Sequence, residues 1–361
     1  MKILYVVTGL GLGGAERVVC DLADGMYEQG NEVKIVYLIG EVLTLPAYED
    51  IEVIKLHLNT LGSTLFVYIK LAKMIRKYKP NVVHSHMVHA NLLTRMVRLV
   101  VPIEKLISTA HNVNEGGRFR MLLYRATHHL ADKTTNVSKE AVAAFERKGA
   151  VPKGGMSSVY NGIDLHKFRY ISGARTELNK EVAINKHCKI ILAVGSLCDR
   201  KDYANLLQAI NLLKKDIGYS LKLLIVGYGY LRSTLEGMVD DFGLQDEVLF
   251  LGMRHDIPKL MSAADLFVLP SKYEGFGLVV AEAMACQCLV VATDCGGVAE
   301  VLNNAEFLVP PSDAVALKNK IKYALALEGN TKEKVINQNL QHVQRSFSLD
   351  SAVKIWIDIY S

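Results

Sequence analysis

Short apolar runs that stop at a turn and give way to segments of helical period recur along this chain, and few folds accept that alternation. The first run is Lys2–Thr8 (KILYVVT), which ends in glycines. Its unbroken apolar character predicts a parallel strand buried on both faces. Ala15–Tyr27 follows, with Val18, Val19, Leu22, Ala23 and Met26 at helical spacing. Glu32–Ile39, Asn81–Ser85, Lys105–Thr109 and Lys133–Val137 read as further strands, and Leu65–Tyr78 as a helix stopped by Pro80. The rhythm pauses in the Gly-, Pro- and Ser-rich stretch Gly149–Gly162 and in polar Tyr170–Lys186. From Lys189 it resumes: IILAVGS, a helix over Tyr203–Lys214, LKLLIVG, a helix over Leu231–Phe242, VLFLG and DLFVLPS. A helix over Leu278–Cys286, the run CLVVATD and a helix near Val298 continue it. Strand and helix in alternation predict a parallel sheet covered on both faces. The interruption divides the chain into two Rossmann-like α/β domains, residues 1–163 and 164–345, joined by a linker near 160–165. Leu349–Tyr360 is a helix too apolar to stand alone, and a return of residues 346–361 to the first domain is one way to bury its face.

Composition removes several classes. The chain has 361 residues, 50% of them apolar and 22% charged, so disorder is excluded as its main state. No window reaches the ~18 consecutive apolar residues of a membrane-spanning helix. Met1–Val7 imitates a short signal peptide but runs into Gly9, Gly11, Gly13 and Gly14, which favours a first strand. Six Cys without a Cys-x-x-Cys pair point to reduced thiols and a cytoplasmic protein. The net charge of +5 is unequally placed: residues 1–163 hold 20 Lys and Arg against 14 Asp and Glu, and the remainder 22 against 23. Two readings of the basic half stay open, solvated helix faces or peripheral attraction to an anionic membrane surface. Nucleic acid is disfavoured, because no aromatic residues alternate with these charges.

Gly9, Gly11 and Gly14 satisfy G-x-G-x-x-G between a strand and a helix, the pattern of a dinucleotide loop. The acidic residue that a nicotinamide enzyme places ~20 positions on is missing, since Glu41 lies past Gly40 and too far along. An anion or substrate loop built from Gly13, Gly14, Ala15 and Glu16 fits better. A second strand-to-glycine turn at Gly227 suggests a ligand in a cleft beyond the carboxyl ends of both sheets.

The most specific segment is Ser271–Ala285 (SKYEGFGLVVAEAMA). Gly275 and Gly277 free the backbone before a helix whose first N–H groups, at Phe276, Gly277 and Leu278, suit a phosphate. Glu274 lies before that helix and Glu282 one turn inside it, where carboxylates can accept hydrogen bonds from sugar hydroxyls. The plainer alternative is a dipole-stabilising Glu282 and a surface Glu274.

EGFGLVVAE resembles the E-x7-E signature of the retaining GT-B glycosyltransferases of family GT4. GLGGAER at 11–17, NGID at 161–164, GSLCDRKD at 195–202, residues 249–271 and GGVAEVL at 296–302 agree with it, in the family's order. The resemblance implies a GT-B fold of two Rossmann-like domains whose parallel sheets face a central cleft, the first for the acceptor and the second for the donor. It implies that Lys201, with Arg200 beside it, neutralises the donor diphosphate. Glu282 would hold the ribose, Glu274 the sugar near the reacting carbon, and Gly14 a phosphate through its N–H. His111, in STAHNV, matches a family His that contacts the donor sugar. Gly13, Gly14 and Glu16 would face the acceptor, and Gly227 the donor. One departure stands out: Ser196 occupies a position where the family usually has Arg, leaving Arg200 to supply that charge.

The implied activity is retaining transfer of a sugar from a nucleotide diphosphate to a glycan or lipid-linked saccharide, in cell-surface polysaccharide synthesis. Family usage points to a UDP-sugar as substrate, with no cofactor. The sequence has no Asp-x-Asp triplet, so a metal-bound diphosphate is not favoured and no metal ligands are assigned. Three rivals share parts of this pattern: a nucleotide-sugar epimerase, a nicotinamide oxidoreductase and a non-catalytic partner subunit. His84 and His86, with His89 nearby, read as hydrogen-bonded residues rather than metal ligands. Cys286, Cys288 and Cys295 read as core. Met121–Leu123, between Arg120 and Arg125, reads either as a membrane-dipping stretch or as an ordinary amphipathic helix.

Overall fold

The computed structural model describes residues 1–58 and 61–361, Leu61 by its backbone alone. The chain divides into two compact units: Met1–Asp164 with Phe347–Ser361, and Leu165–Ser346.

The first unit alternates strands and helices: β1 (Lys2–Val7), α1 (Gly14–Glu28), β2 (Glu32–Tyr37), β3 (Glu52–Lys55), α2 (Thr64–Tyr78), β4 (Val82–His86), α3 (Val88–Val97) and β5 (Lys105–Ala110). α4 (Arg118–Thr127), β6 (Lys133–Asn136), α5 (Lys139–Arg147) and β7 (Ser157–Ser158) complete the run. All seven strands are parallel, in the order β3-β2-β1-β4-β5-β6-β7. Ile3, Tyr5 and Val7 of β1 pack with α1 and with Val353, Trp356 and Tyr360 of the C-terminal helix, Leu349–Tyr360. Leu4 and Val6 point the other way, into a core shared with α2 and α3. That period-two division is the physical signature of a strand covered on both faces. The C-terminal helix docks closely: a Cβ at Gly25 would lie 2.5 Å from Val353 Cγ2, and one at Gly162 would lie 2.7 Å from Leu349 Cα. Ile163 and Leu349 seal the junction by hydrogen bonds, Ile163 N–H to Phe347 O (2.8 Å) and Leu349 N–H to Ile163 O (2.9 Å).

The second unit opens with α6 (Ala174–Glu181) and continues β8 (Lys189–Val194), α7 (Tyr203–Lys214), β9 (Leu221–Val226), α8 (Arg232–Asp241), β10 (Val248–Gly252) and α9 (Ile257–Ala263). It closes with β11 (Leu266–Leu269), α10 (Leu278–Ala285), β12 (Val290–Thr293), α11 (Val298–Leu302), β13 (Leu308–Val309), α12 (Ala314–Ala326) and α13 (Gly329–Ser346). Its parallel sheet has the order β10-β9-β8-β11-β12-β13. Both sheets therefore grow outward from their first strand in two directions. The reversal falls between β1 and β4 in one unit and between β8 and β11 in the other, and ligands bind at such reversals, beyond the carboxyl ends of the strands.

The stretches read as pauses contain elements after all. β7 lies inside Gly149–Gly162, and α6 inside Tyr170–Lys186. A two-residue strand and a helix burying only Ala174 and Leu178 leave almost no apolar period to detect. No helix among the described residues is long and apolar enough to cross a membrane.

Candidate functional site

The second unit gathers its chemistry at its strand-order reversal. β8 ends at Val194, and the chain turns through Gly195–Cys198 into a short 3-10 turn, Asp199–Lys201. β11 ends at Leu269, and the chain reaches α10 through Ser271–Gly277. Because β8 and β11 are neighbours, the two loops meet: Lys201 Nζ donates to Glu274 Oε1 at 2.5 Å. Ser271 Oγ donates to the same oxygen at 2.7 Å. The pair is mostly buried, with side-chain exposures of 17% and 13%. A half-dry ion pair costs desolvation, so it speaks for a site rather than for stability.

The backbone is stitched around that pair. Arg200 O accepts the Lys272 N–H (2.8 Å) and the Tyr273 N–H (3.4 Å). The Asp202 carboxylate pairs with Lys272 (3.1 Å) and accepts from Ser312 Oγ (2.9 Å). Tyr203 donates its hydroxyl to Gly195 O at 3.2 Å, and burial pushes its phenol well above the ordinary range. Arg200 itself is exposed, as is Ser196. Gly227 ends β9 against the β8 loop so closely that a Cβ would lie 1.9 Å from Gly195 O. Gly277 caps α10 in the left-handed region at φ 89°, with no side-chain cap on the helix. Phe276 beside it is buried, Leu278 half-buried, and Glu282 half-buried one turn along. Sequence motifs missed Ser271, Asp202 and Ser312. Ser271 alone left a trace, its three-residue spacing from Glu274.

The first unit holds a separate set at its own reversal. The loop Gly9–Gly13 leads from β1 into α1, and His86 ends β4. Gly13 is the cap residue of α1, Gly14 begins it, and the Glu16 carboxylate folds back so that a Cβ at Gly13 would lie 2.2 Å from Glu16 Oε2. Met87, at φ 69° and ψ 162°, holds a backbone conformation that non-glycine residues rarely tolerate. That strain turns the chain sharply from His86 into α3.

His111 follows β5 and is buried. His86 Nδ1 and His111 Nε2 are 2.9 Å apart. The His111 N–H donates to Glu115 Oε1 at 2.8 Å, and Tyr124 OH donates to Glu115 Oε2 at 2.5 Å. Burial lowers His111 to about 4 and holds His84 and His86 well below the usual imidazole range, so all three are neutral at pH 7. Burial raises the Glu115 carboxyl, against the hydrogen bonds from Tyr124 and His111. His84 bonds Tyr360 OH (2.6 Å) and Thr109 Oγ1 (2.7 Å), and its ring lies 4.0 Å from that of His86. His86 Nε2 has no partner among the described residues, and His86 lines a small cavity with Thr109, His111, Asn161 and Trp356. Glu115 was invisible to motif reading, because a buried acid in a loop has no period to announce it. Of the two readings of Met121–Leu123, the ordinary amphipathic helix matches the structure: Met121 is buried beside Tyr124, and of the three only Leu122 is exposed. Cys286, Cys288 and Cys295 are buried free thiols.

Comparison with known proteins supplies the context. Residues 12–167 match the family described as Glycosyltransferase Family 4, and residues 174–342 match Glycosyl transferases group 1. N-acetyl-alpha-D-glucosaminyl L-malate synthase of Bacillus anthracis is 26% identical over 82% of this chain and 79% of its own. The Escherichia coli UDP-Gal:alpha-D-GlcNAc-diphosphoundecaprenol alpha-1,3-galactosyltransferase is 26% identical over 74% of this chain and 71% of its own. Anabaena Alr3699/HepE, solved in complex with UDP, superposes with a TM-score of 0.83 at 19% identity, covering 99% of both chains. That likeness identifies the fold as GT-B.

Proposed function

The chain belongs to the GT4-type glycosyltransferases of GT-B fold, and on that premise we propose that it transfers a sugar from a UDP-sugar to a lipid-linked saccharide with retention of configuration. The observation that carries this reading is the Lys201–Glu274 pair at the strand-order reversal of the second unit.

Breaking the bond between the anomeric carbon and a diphosphate oxygen leaves negative charge on the diphosphate and oxocarbenium character on the sugar. Lys201 would meet the first, with Arg200 on the neighbouring residue and the start of α10 as an oriented dipole. Glu274, which holds Lys201 and Ser271, would accept hydrogen bonds from sugar hydroxyls, and Glu282 from the ribose. Phe276, Gly277 and Leu278 would present backbone to the diphosphate, with Gly227 opening the β9 turn for it. In the first unit, Gly13, Gly14 and Glu16 would meet the acceptor, and neutral His111, held by Glu115, would meet the donor sugar. The acceptor hydroxyl forms its bond to the anomeric carbon as the carbon–phosphate-oxygen bond breaks, and its proton passes to the departing phosphate. The charge inventory needs no metal, and the sequence has no Asp-x-Asp triplet to hold one.

The relatives support the substrate classes: the Escherichia coli enzyme is named for UDP-Gal and a diphosphoundecaprenol-linked sugar, and the superposed structure contains UDP. A cell-surface polysaccharide pathway follows from such an acceptor. Lys201→Ala and Glu274→Ala test the reading. Turnover of a UDP-sugar with a lipid-linked acceptor is expected to fall at least a hundredfold in both, and UDP binding to weaken in Lys201→Ala. Wild-type rates in both variants would overturn it, and a new sugar formed from donor alone would favour an epimerase.

A further inference from the structure

His86 is a polar side chain in a place where packing alone does not require one. It ends β4 and shares a sheet face with His84, two residues back. The β4–β5 register sets it opposite Thr109, and two residues beyond Thr109 comes His111. His86 is 1% exposed, and its Nε2 has no partner among the described residues. Its other ring nitrogen, Nδ1, lies 2.9 Å from His111 Nε2. A buried nitrogen without a partner is destabilising, and an apolar ring would fill the same space without that penalty. The bond to His111 is what an apolar ring could not supply.

The surroundings hold the His86 ring still. It lies against the His84 ring, whose two nitrogens are both bonded, to Tyr360 OH and to Thr109 Oγ1. Thr109 Oγ1 is bonded in turn to Thr135 Oγ1 at 2.7 Å. On the other side stands Met87 at φ 69°, a conformation that persists only where its neighbours enforce it. His111, by contrast, sits on a loop. Glu115 fixes its main chain by accepting the backbone N–H, and leaves the ring torsions free. Among the described residues the His111 ring has one hydrogen-bond partner, His86. Burial keeps both imidazoles neutral, so the hydrogen between them makes one ring the donor and the other the acceptor.

We propose that His86 is a positioning residue for the transfer reaction: it fixes the orientation of the His111 ring and holds that ring in a single tautomer, leaving its Nδ1 for the donor sugar. The inference rests on the reading in which His111 meets that sugar. A working group on a loop needs such support, since a misplacement of about 1 Å is worth roughly a hundredfold in rate. A purely structural His86 would account for the packing on His84 and not for a buried ring whose hydrogen bond goes to His111.

Turnover of a UDP-sugar with a lipid-linked acceptor, together with NMR of the full chain carrying isotope-labelled histidine, tests it. The His111 ring signals, identified by their loss in His111→Ala, should show one neutral tautomer in the wild-type chain and an average of two in His86→Phe. Turnover is expected to fall roughly tenfold or more in His86→Phe. His86→Asn, whose side-chain amide stands near the place of Nδ1, should recover most of the wild-type rate. In a His111→Ala background, itself slowed, His86→Phe should lower the rate little further, because residues that act as one unit are not additive. UDP, which lacks the sugar, should raise the unfolding midpoint equally in all of these proteins. An undiminished rate in His86→Phe, a full additional loss in the His111→Ala background, or an averaged tautomer in the wild-type chain overturns the inference. The wild-type tautomer decides the matter if His86→Phe does not fold. Wild-type turnover in His111→Ala would instead sink the donor-sugar reading, and the positioning role with it, even with the tautomer locked.

Discussion

The glycines of the second unit differ in what an added methyl would meet. A Cβ at Gly229 would lie 2.2 Å from Leu197 O, a backbone atom that cannot swing aside, whereas Gly237 on the exposed side of α8 has nothing within 4 Å. Gly229→Ala should therefore cost about 1–3 kcal/mol or more by forcing the β8 and β9 loops apart. Gly237→Ala should gain about 0.5–1 kcal/mol by stiffening the unfolded chain. Urea titration of both variants checks the pair, and a stable Gly229→Ala protein would mean these loops are not locked together. At this scale the sequence was informative where residues lie close along the chain. Glu274, Gly277 and Glu282 stand out because one loop and one helical turn carry them. The contact of Lys201 with Glu274 joins residues 73 apart and comes from β11 settling beside β8, which no spacing encodes. Resemblance named both residues, and only the fold says that they touch.

Among the elements, the C-terminal helix carries the most unusual chemistry. Trp356 lies 4.4 Å from the His84 ring, and Tyr360 bonds both His84 and Tyr5 (3.1 Å). The buried histidines under it take up protons when the unit unfolds, because their folded-state pKa values lie below the ordinary 6.5. Their contribution to stability is thus complete above pH ~6.5 and is lost as the pH falls, for His111 down to about 4. Glu115, whose pKa burial raises, works in the opposite direction, since its folded form binds a proton more readily. Each lowered histidine contributes up to about 1.4 kcal/mol per pH unit across its window. His111→Gln should therefore flatten the loss of urea resistance between pH 6.5 and 4.5, and equal slopes in the two proteins would remove His111 from the account. The helix itself was legible from Ala352, Val353, Trp356 and Tyr360 at helical spacing. His84 and His86 were read as hydrogen-bonded residues, as they are, but that Tyr360 is a partner was not legible, because it lies 276 residues from His84 along the chain.

At the scale of the molecule, two parallel sheets were readable because their central strands are uninterrupted apolar runs. β7 and α6, which bury little, were not. If the second unit carries the donor chemistry, UDP should raise the midpoint of its thermal unfolding, by mass action, through about 2.7 kcal/mol at a hundred times the dissociation constant. Lys201→Ala should blunt that rise and His111→Gln should not, and a scan of each variant with UDP decides it. The docking of residues 347–361 onto a sheet begun at residue 2 has a temporal side. During synthesis, the second unit has its whole sequence before the first has its last helix. Until Trp356 and Tyr360 emerge, the amino-terminal sheet must wait with that flank covered by α1 alone, a natural station for a chaperone. A premature stop anywhere in the second unit should leave both units of the polypeptide unfit, the earlier one for want of its lid.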